Sequence, residues 1–380
     1  MSNLIVRPVH SRRDEMRFIK TQWIPYKGNP YWVAPLIMDR KKLIDRRKNP
    51  FYKHAEMELF LAERDGKPVG RIAAILNHNH NKEHNENIGF FGFFESIEDK
   101  EVAHALLDAA RDWLAQKGVD AIRGPANPSV NDEYGMLIEG FDKSPAIMMP
   151  YNPPYYLDFV ESYGFRKARD LNAWGVYGER VITEKLRRGT ELVKKRYGFT
   201  FRTINFKDFE NEVRIIRELY IKAWERNWGE VPMTEEEFRY AANDMKMIAD
   251  PDCIVIAELE GKPVGFGLSL PDINQVLVDN RGGYLLPALV RLKLFWKKKI
   301  KRVRIIILGA LEEYRHTGIG GALFYETGMH GMAKGYFEGE ASWILEDNVM
   351  MNRGAELMQG EITKRYRVYQ MPISQGGPDS

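Results

Sequence analysis

The stretch that decides the fold runs from Val303 to Tyr325 and reads VRIIILGALEEYRHTGIGGALFY. Its first residues, Val303 to Leu308, are mostly β-branched and predict a strand. From Ala322 onward the pattern is helical. Between the two, Arg315 to Gly321 places an arginine and several glycines before a helix N-terminus, where backbone N–H groups favour an anion. The pattern predicts a pyrophosphate-binding turn. The alternative is a tight strand–helix turn beside a surface arginine.

Composition limits the class of protein. The 380 residues are 44% hydrophobic and 29% charged, with a net charge of +3. These values suit a globular protein of two domains and give no argument for nucleic acid as a partner. The single cysteine, Cys253, excludes an internal disulfide and agrees with a reducing compartment. No signal peptide and no membrane-spanning apolar run is evident, so we expect a cytoplasmic protein.

Two parts of the chain repeat each other. The segment Ala62 to Gly70, AERDGKPVG, reappears 195 residues later as AELEGKPVG, and each copy predicts a β-hairpin. Farther along the offset is 217, as from Gly118 to Gly335, so the second copy has gained about 22 residues, which we expect near 272–300. The sequence therefore predicts two divergent copies of one α/β unit. We expect domains at 1–180 and 199–380, joined by a linker helix within 181–198.

The strand, the Arg315-x-x-Gly318-x-Gly320 turn and the following helix resemble the coenzyme A-binding core of the GNAT superfamily of N-acetyltransferases. The resemblance covers both copies and implies two tandem GNAT-like domains, each with a mixed α/β sheet. More narrowly, several segments resemble bacterial ceramide synthases and their uncharacterised relatives. These segments are Asn49–Tyr52, His54–Glu56, Gly89–Glu95, Gly124–Asn127, Asn131–Glu133 and Lys364–Tyr369. That resemblance implies transfer of a long-chain acyl group from acyl-CoA to a sphingoid base or a similar lipid amine.

In the GNAT superfamily the backbone amides of this turn hold the pyrophosphate of an acyl-CoA. Carried over to this chain, the resemblance implies a cofactor site in the second copy. Its residues are Leu308, Ala310, Arg315, His316, Thr317, Gly318, Ile319, Gly320, Gly321 and Asn348. At the offset of 217, Glu98 and Glu101 stand opposite Arg315 and Gly318, and like charges repel a pyrophosphate. We therefore expect one acyl-CoA per chain and a degenerate first domain.

N-acylation needs a base for the amine proton, a donor for the oxyanion and, in many cases, an acid for the leaving thiolate. Our candidates for the base are Glu346 and Glu133, and our candidates for the acid are Tyr366 and, as an alternative, Tyr369, although a thiolate can also leave without an acid. Backbone N–H groups near Gly309 and Ala310 are the expected oxyanion donors.

A polar segment, Asn127 to Gly135, follows an apolar strand of the first copy. We predict that Asn127, Asn131 and Asp132 bind the amine substrate, while the alternative is ordinary loop chemistry. A histidine cluster, His78 to His84, indicates a polar loop more than a zinc site, and the proposed chemistry needs no metal.

The extra segment of the second copy is basic and amphipathic. Tyr284 to Ile300 carries Leu285, Leu289, Leu292 and Trp296 at helical spacing, and basic residues continue to Arg304. Residues 284–304 suit peripheral contact with the anionic inner face of a membrane, or cover for a lipid tail. Two other interpretations stay open: a helix packed on its own domain, and cations that meet the 3′-phosphate of CoA.

Two other functions compete with lipid-amine acylation. An acetyl-CoA-dependent acetyltransferase of a small amine or amino acid would show no preference for long acyl chains and no membrane affinity. A non-catalytic acyl-CoA sensor would bind tightly without turnover.

Overall fold

Strands and helices alternate along residues 3–224 and 228–373, the part of the chain that the computed structural model describes. The strands are β1 (Leu4–Pro8), β2 (Ala55–Arg64), β3 (Lys67–Asn77), β4 (Ile88–Ser96), β5 (Ala121–Gly124), β6 (Ala126–Asn127), β7 (Glu133–Tyr134), β8 (Met136–Glu139), β9 (Arg166–Tyr177), β10 (Phe199–Thr203), β11 (Ile254–Leu259), β12 (Lys262–Pro271), β13 (Arg302–Ala310), β14 (Glu338–Leu345) and β15 (Glu361–Pro372). The helices are α1 (Arg12–Thr21), α2 (Ile37–Ile44), α3 (His78–His84), α4 (Lys100–Gln116), α5 (Tyr156–Tyr163), α6 (Gly178–Val181), α7 (Glu184–Tyr197), α8 (Phe209–Trp224), α9 (Glu235–Lys246), α10 (Asn274–Leu277), α11 (Leu285–Lys299), α12 (Ile319–Lys334) and α13 (Val349–Leu357).

These elements pack into two units. The first unit contains the residues up to Asp170, the segment Val278–Leu289 and the residues from Arg365 on. The second unit contains Leu171–Leu277 and Val290–Lys364. Relative to the sequential domains that we predicted, most of β15 belongs to the first unit and most of β9 to the second. The predicted linker helix is α7, which packs inside the second unit.

The sheet of the first unit has the strand order β1-β2-β3-β4-β5-β15, and β8 also pairs with β15. Neighbouring strands are antiparallel except β4 and β5, which are parallel. Helix α4 packs on this sheet through fully buried Val102, Leu106, Ala110 and Leu114. The core of the unit therefore lies between α4 and the sheet.

The second unit repeats this arrangement with the order β10-β11-β12-β13-β14-β9, in which only β13 and β14 are parallel. Its first ladder pairs Phe199 with Leu259, as Leu4 pairs with Arg64 in the first unit, so the predicted offset of 195 is kept. An ion pair repeats at the same offset, because Arg7 Nε bonds to Glu63 at 2.7 Å and Arg202 Nε to Glu258 at 2.7 Å. The predicted duplication is confirmed.

The registers also correct where the 22 additional residues lie. Ile88 pairs with Ala121, and Arg302 pairs with Glu338, so β13 is offset by 214 from β4, while β14 is offset by 217 from β5. Leu106 of α4 and Leu323 of α12 are both buried and correspond to each other, so α12 also keeps the sequence offset of 217 from α4. Nineteen residues thus lie before β13, near the predicted place. The other three lie between β13 and α12, in the glycine-rich turn itself, where we had not expected them.

The inserted segment forms α10 and α11, so the helix predicted over Tyr284 to Ile300 is confirmed. The residues just before α11 belong to the first unit because they bond to it. The guanidinium of Arg281 donates to the carbonyl oxygens of Asn29, Pro30 and Trp32 at 2.7–3.0 Å. Among the described helices, none is long and apolar enough to cross a membrane.

Candidate active site

The glycine-rich turn of the second unit follows β13 as a 3-10 helix over Glu312–Thr317 and leads into α12 at Gly318. Gly318 has a φ of 87°, which a glycine adopts without strain. It offers no side chain to cap α12, so the N–H groups of the first turn that follow Ile319 depend on an acceptor from elsewhere. Thr317 is buried and shapes the turn: its hydroxyl donates to the Tyr314 carbonyl at 2.7 Å and accepts from the Ile319 N–H at 3.3 Å. An uncapped helix start of this kind suits an anion.

Gly320 and Gly321 are glycines that the fold itself does not require. Neither has a positive φ. A Cβ on Gly320 would meet no atom within 4 Å, and a Cβ on Gly321 would meet only Leu186, at an ordinary contact distance of 3.7 Å. Alanine would also be the better helix former at both places. The space beside this backbone is therefore available to a ligand that approaches it closely.

Two side chains of the turn carry or can carry positive charge at this helix start. Arg315 and His316 are both exposed. The Arg315 Nε donates to the carbonyl oxygen of Ala310 at 3.1 Å, which ties the guanidinium to the end of β13. The acidic Glu312 and Glu313 lie earlier in the turn and are exposed as well. Arg315 is thus held at the junction of strand and turn, as phosphate recognition would require.

The corresponding helix start of the first unit is already occupied by its own side chains. Asp99 caps α4, accepting from the N–H groups of Glu101 and Val102 at 3.0 and 3.4 Å. Arg64 pairs with Asp99 at 2.5 Å and with Glu101 at 2.8 Å. By the helix register, Glu101 stands where the second unit has Gly318. An anion would meet a capped and acidic helix start here.

A gap opens between two strands of the second unit, close to the glycine turn. β13 pairs with β14 only from Arg302 to Ile305, although β13 continues to Ala310 and β14 to Leu345. Beyond Ile305, no described strand pairs with this edge of β13. Residues Ile305 to Gly309 are only half-buried, although β13 is an inner strand of its sheet. Leu308 and Ala310, which we predicted in the cofactor site, lie on this open end.

In the first unit the chain itself fills the equivalent gap. β4 pairs with β5 only from Ile88 to Phe90, and β6 then lies beside β4. The amide oxygen of Asn127 accepts a hydrogen bond from the Phe93 N–H at 2.5 Å. A Cβ on Gly92 would collide with the carbonyl oxygen of Ala126. Every residue of β4 is buried, so the first unit leaves no space for a ligand along this strand.

Glu133 belongs to the same segment of the chain, which fills the gap beside β4 in the first unit. Its carboxylate accepts from the Asn127 amide at 3.1 Å and pairs with Arg40 at 2.5 Å. Burial alone would raise the pKa of Glu133, but the Arg40 charge and these hydrogen bonds outweigh it and hold the pKa below its ordinary value. A carboxylate held in this way is a weak proton acceptor. The geometry gives Glu133 and Asn127 a structural role in the first unit.

Asn131 and Asp132 lie in the turn between β6 and β7. The Ser129 hydroxyl donates to the Asp132 carboxylate at 2.6 Å and accepts from the Asn131 N–H at 3.1 Å. These are the turn contacts that the alternative interpretation of the segment expected. Binding of an amine by Asn127, Asn131 and Asp132 stays a prediction.

The other catalytic candidates divide between the units. Glu346 is exposed in the turn after β14, in the second unit with the glycine turn and the open gap. Asn348 caps α13, accepting from the Met351 N–H at 3.1 Å, so its side chain is engaged in a helix start. Tyr366 lies on β15 in the first unit and is completely buried. Tyr369 is also buried, and its hydroxyl donates to Glu161 at 2.8 Å.

A buried carboxyl group that we did not predict lies in the first unit. Glu95, the one acid of the aromatic strand β4, accepts from the Tyr156 hydroxyl at 2.9 Å and lies 3.6 Å from Arg71. Burial raises the pKa of Glu95 to about 7, although the Arg71 charge opposes the change. The signal in the sequence was a single carboxyl in the run of phenylalanines within Gly89–Glu95.

The histidines of α3 take part in local contacts. His80 Nε2 lies 2.9 Å from a Glu86 carboxylate oxygen, and burial lowers the pKa of His80 to about 4. Within the described ranges, no group of three or more His, Cys, Asp or Glu side chains is arranged to hold a metal ion.

Comparison with known proteins gives consistent matches. The model of the acetyltransferase (GNAT) family matches residues 26–131. Protein YghO of Escherichia coli (strain K12) is 34% identical over 386 aligned residues, 98% of each chain. The bacterial ceramide synthase of Caulobacter vibrioides (strain NA1000 / CB15N) is 33% identical over 384, again 98% of each. Among solved structures, a tandem GNAT protein from the clavulanic acid biosynthesis pathway is similar over 100% of both chains, with a TM-score of 0.57 and 12% identity, which shows the fold alone.

Proposed function

The chain belongs to the GNAT family and is an N-acyltransferase, and we propose that it transfers a long-chain acyl group from acyl-CoA to a sphingoid base or a similar lipid amine. The family uses acyl-CoA or acetyl-CoA as co-substrate. The choice of a long acyl group and a lipid amine is supported by similarity to the Caulobacter ceramide synthase over nearly the whole chain.

One observation supports the position of the co-substrate above all others. The equivalent gap beside the fourth strand of each sheet is filled in the first unit and open in the second. In the first unit β6 fills the space beside β4, and Asp99 caps α4. In the second unit the described chain leaves β13 open and α12 uncapped. A ligand with a pyrophosphate and an extended acyl-pantetheine arm fits the second unit alone. We therefore place one acyl-CoA per chain.

In this proposal the pyrophosphate lies against the first turn of α12. The N–H groups of Gly320 and Gly321 face it, and Arg315 supplies positive charge, with His316 beside it in the turn. The pantetheine arm then follows the open edge of β13 past Leu308 and Ala310, with Asn348 at the start of α13, just beyond β14. Thr317 acts indirectly, through the shape of the turn.

The reaction joins the amine nitrogen to the thioester carbonyl carbon. Backbone N–H groups at the end of β13 stabilise the oxyanion that forms, and the carbon–sulfur bond then breaks to release CoA thiolate. Glu346, directly or through water, accepts the amine proton. We favour Glu346 over Glu133, because Glu346 shares a unit with the turn and Glu133 is paired with Arg40. Protonation of the thiolate by Tyr366 stays a prediction, which its complete burial does not favour.

A lipid substrate also fits two apolar surfaces. The half-buried residues Ile306 to Leu308 lie on the unpaired stretch of β13, where an acyl chain would remove them from water. Helix α11 exposes four aliphatic side chains, Leu286, Leu289, Val290 and Leu294, each more than half exposed. Because Lys293, Lys297 and Lys298 are exposed on the same helix, we propose peripheral contact of α11 with an anionic membrane surface.

The test is turnover by the purified protein with acetyl-CoA and palmitoyl-CoA, each offered with sphinganine and with small amines. The proposal expects CoA release with palmitoyl-CoA and sphinganine, and an amide product of the matching mass. Release with acetyl-CoA and a small amine alone would support the acetyltransferase alternative. Binding of acyl-CoA with no product from any amine would support the sensor.

A further inference from the structure

Helix α7 lies along α12 within the second unit, and the two helices are antiparallel. The side chain of Val193 lies 3.3 Å from a Cβ placed on Gly318, and that of Leu186 lies 3.7 Å from one placed on Gly321. Earlier in the chain, Ile182 approaches Gly328. As the residue number of the contact increases along α7, it decreases along α12. The C-terminal end of α7 therefore lies beside the start of α12.

An apolar cluster fixes that end of α7 against the glycine-rich turn. Val193 and Tyr197 of α7 and Tyr314 of the turn pack on the same buried residues, among them Phe199 and Ile319. The Tyr197 and Phe199 rings are 5.9 Å apart, and the Phe199 and Tyr314 rings are 5.8 Å apart. The last turn of α7 is therefore positioned beside the turn that carries Arg315.

Arg196 extends from this last turn of α7 and is exposed. Three residues after Val193, it lies on nearly the same helix face, and its guanidinium lies over the Tyr197 ring at 5.3 Å. It forms no ion pair with an acid in the described ranges. The two neighbouring lysines differ: Lys194 pairs with Glu326 at 2.5 Å, and Lys195 projects about 200° around the helix from Val193.

We propose that Arg196 binds the 3′-phosphate of coenzyme A. The inference rests on the proposed acyl-CoA site and assigns the second anionic group of that ligand. The uncapped start of α12 and Arg315 serve the pyrophosphate, and a guanidinium on the neighbouring helix end suits a phosphate on the ribose.

Coenzyme A and 3′-dephospho-CoA provide the test, because they differ only in the group that Arg196 is proposed to bind. Binding of both ligands is measured by calorimetry for the wild type, for Arg196→Ala and for Lys195→Ala, a matched control with the same charge change one residue away. We expect the wild type to prefer CoA. Arg196→Ala should weaken CoA binding about tenfold and leave dephospho-CoA binding unchanged. Lys195→Ala should change neither.

Each other outcome contradicts a defined part of the account. Equal weakening of both ligands by Arg196→Ala would move Arg196 to the pyrophosphate, and no weakening would remove it from the site. Either result leaves the proposed function intact. A wild type that binds neither ligand would overturn the acyl-CoA site itself and this inference with it. Circular dichroism of both variants checks that α7 is preserved.

Discussion

The side-chain amide oxygen of Asn127 accepts a hydrogen bond from the backbone N–H of Phe93, on the edge of β4 that β5 no longer covers. In this position Asn127 supplies the hydrogen-bond acceptor that a ligand carbonyl would supply beside an open strand. The second unit has no described strand along the equivalent edge of β13. The contrast explains why a duplicated fold is expected to hold a single co-substrate.

Replacement of Gly320 by alanine should separate ligand binding from folding. Because a Cβ there meets no protein atom, the free energy of unfolding should stay unchanged or rise by up to about 1 kcal/mol. Affinity for CoA should fall at least tenfold, since the methyl group would occupy the space beside the phosphate. Thermal unfolding with and without CoA measures both effects. Gly331→Ala, in the same helix and also without a Cβ contact, is the matched control and should keep full affinity.

Glu133→Gln should impair stability more than chemistry. The substitution leaves the Arg40 guanidinium without its carboxylate, and loss of one partner of a buried pair typically costs about 3–5 kcal/mol. Denaturant unfolding measures the loss, and turnover is then measured per folded molecule at low temperature. We expect turnover to remain within a few-fold of wild type. A folded Glu133→Gln protein that has lost turnover by a hundredfold or more would restore Glu133 as the base.

Stability should depend on pH through Glu95, which faces Arg71, Tyr26, Tyr156 and Arg40. Its pKa is raised by burial to about 7, so between the ordinary glutamate pKa and 7 the folded protein holds a proton that the unfolded chain has released. Folding stability therefore falls as pH rises through this window, by up to roughly 3 kcal/mol. Glu95→Gln should remove this fall. Parallel pH profiles of unfolding free energy for the two proteins would contradict the assignment.

The exposed aliphatic face of α11 should contribute to vesicle binding. Leu286→Gln with Leu294→Gln should reduce co-flotation with phosphatidylglycerol vesicles about tenfold, because both side chains would otherwise leave water. The double control Leu192→Gln with Leu357→Gln changes two other exposed leucines and should have no effect. Binding to neutral phosphatidylcholine vesicles should be weak for all proteins. Equal flotation of the wild type and the α11 variant would refute membrane contact through this helix.

Much of the fold could be predicted from local patterns. The repeated hairpin with its offset of 195 located both sheets, and the helical spacing of Tyr284 to Ile300 predicted α11. The glycine-rich turn could be recognised because a strand and a helix flank it directly. Such features depend on residues that are neighbours in the chain, so the amino-acid sequence is enough to predict them.

Contacts between distant residues could not be predicted in this way. We predicted Glu133 as an available carboxylate because no neighbouring residue in the sequence indicates its pairing with Arg40, which is 93 positions away in the chain. The hydrogen bond between the Asn127 amide and Phe93 could not be predicted for the same reason. The three residues added inside the glycine turn were hidden as well, since only strand pairing shows that β13 and α12 follow different offsets.

The number of acyl-CoA sites per chain tests the central claim most directly. Calorimetric titration of the intact protein with a non-hydrolysable acyl-CoA analogue should give one site, and Gly320→Ala should weaken that site at least tenfold. Two equivalent sites, or one site that Gly320→Ala leaves unchanged, would contradict the assignment of acyl-CoA to the glycine turn of the second unit.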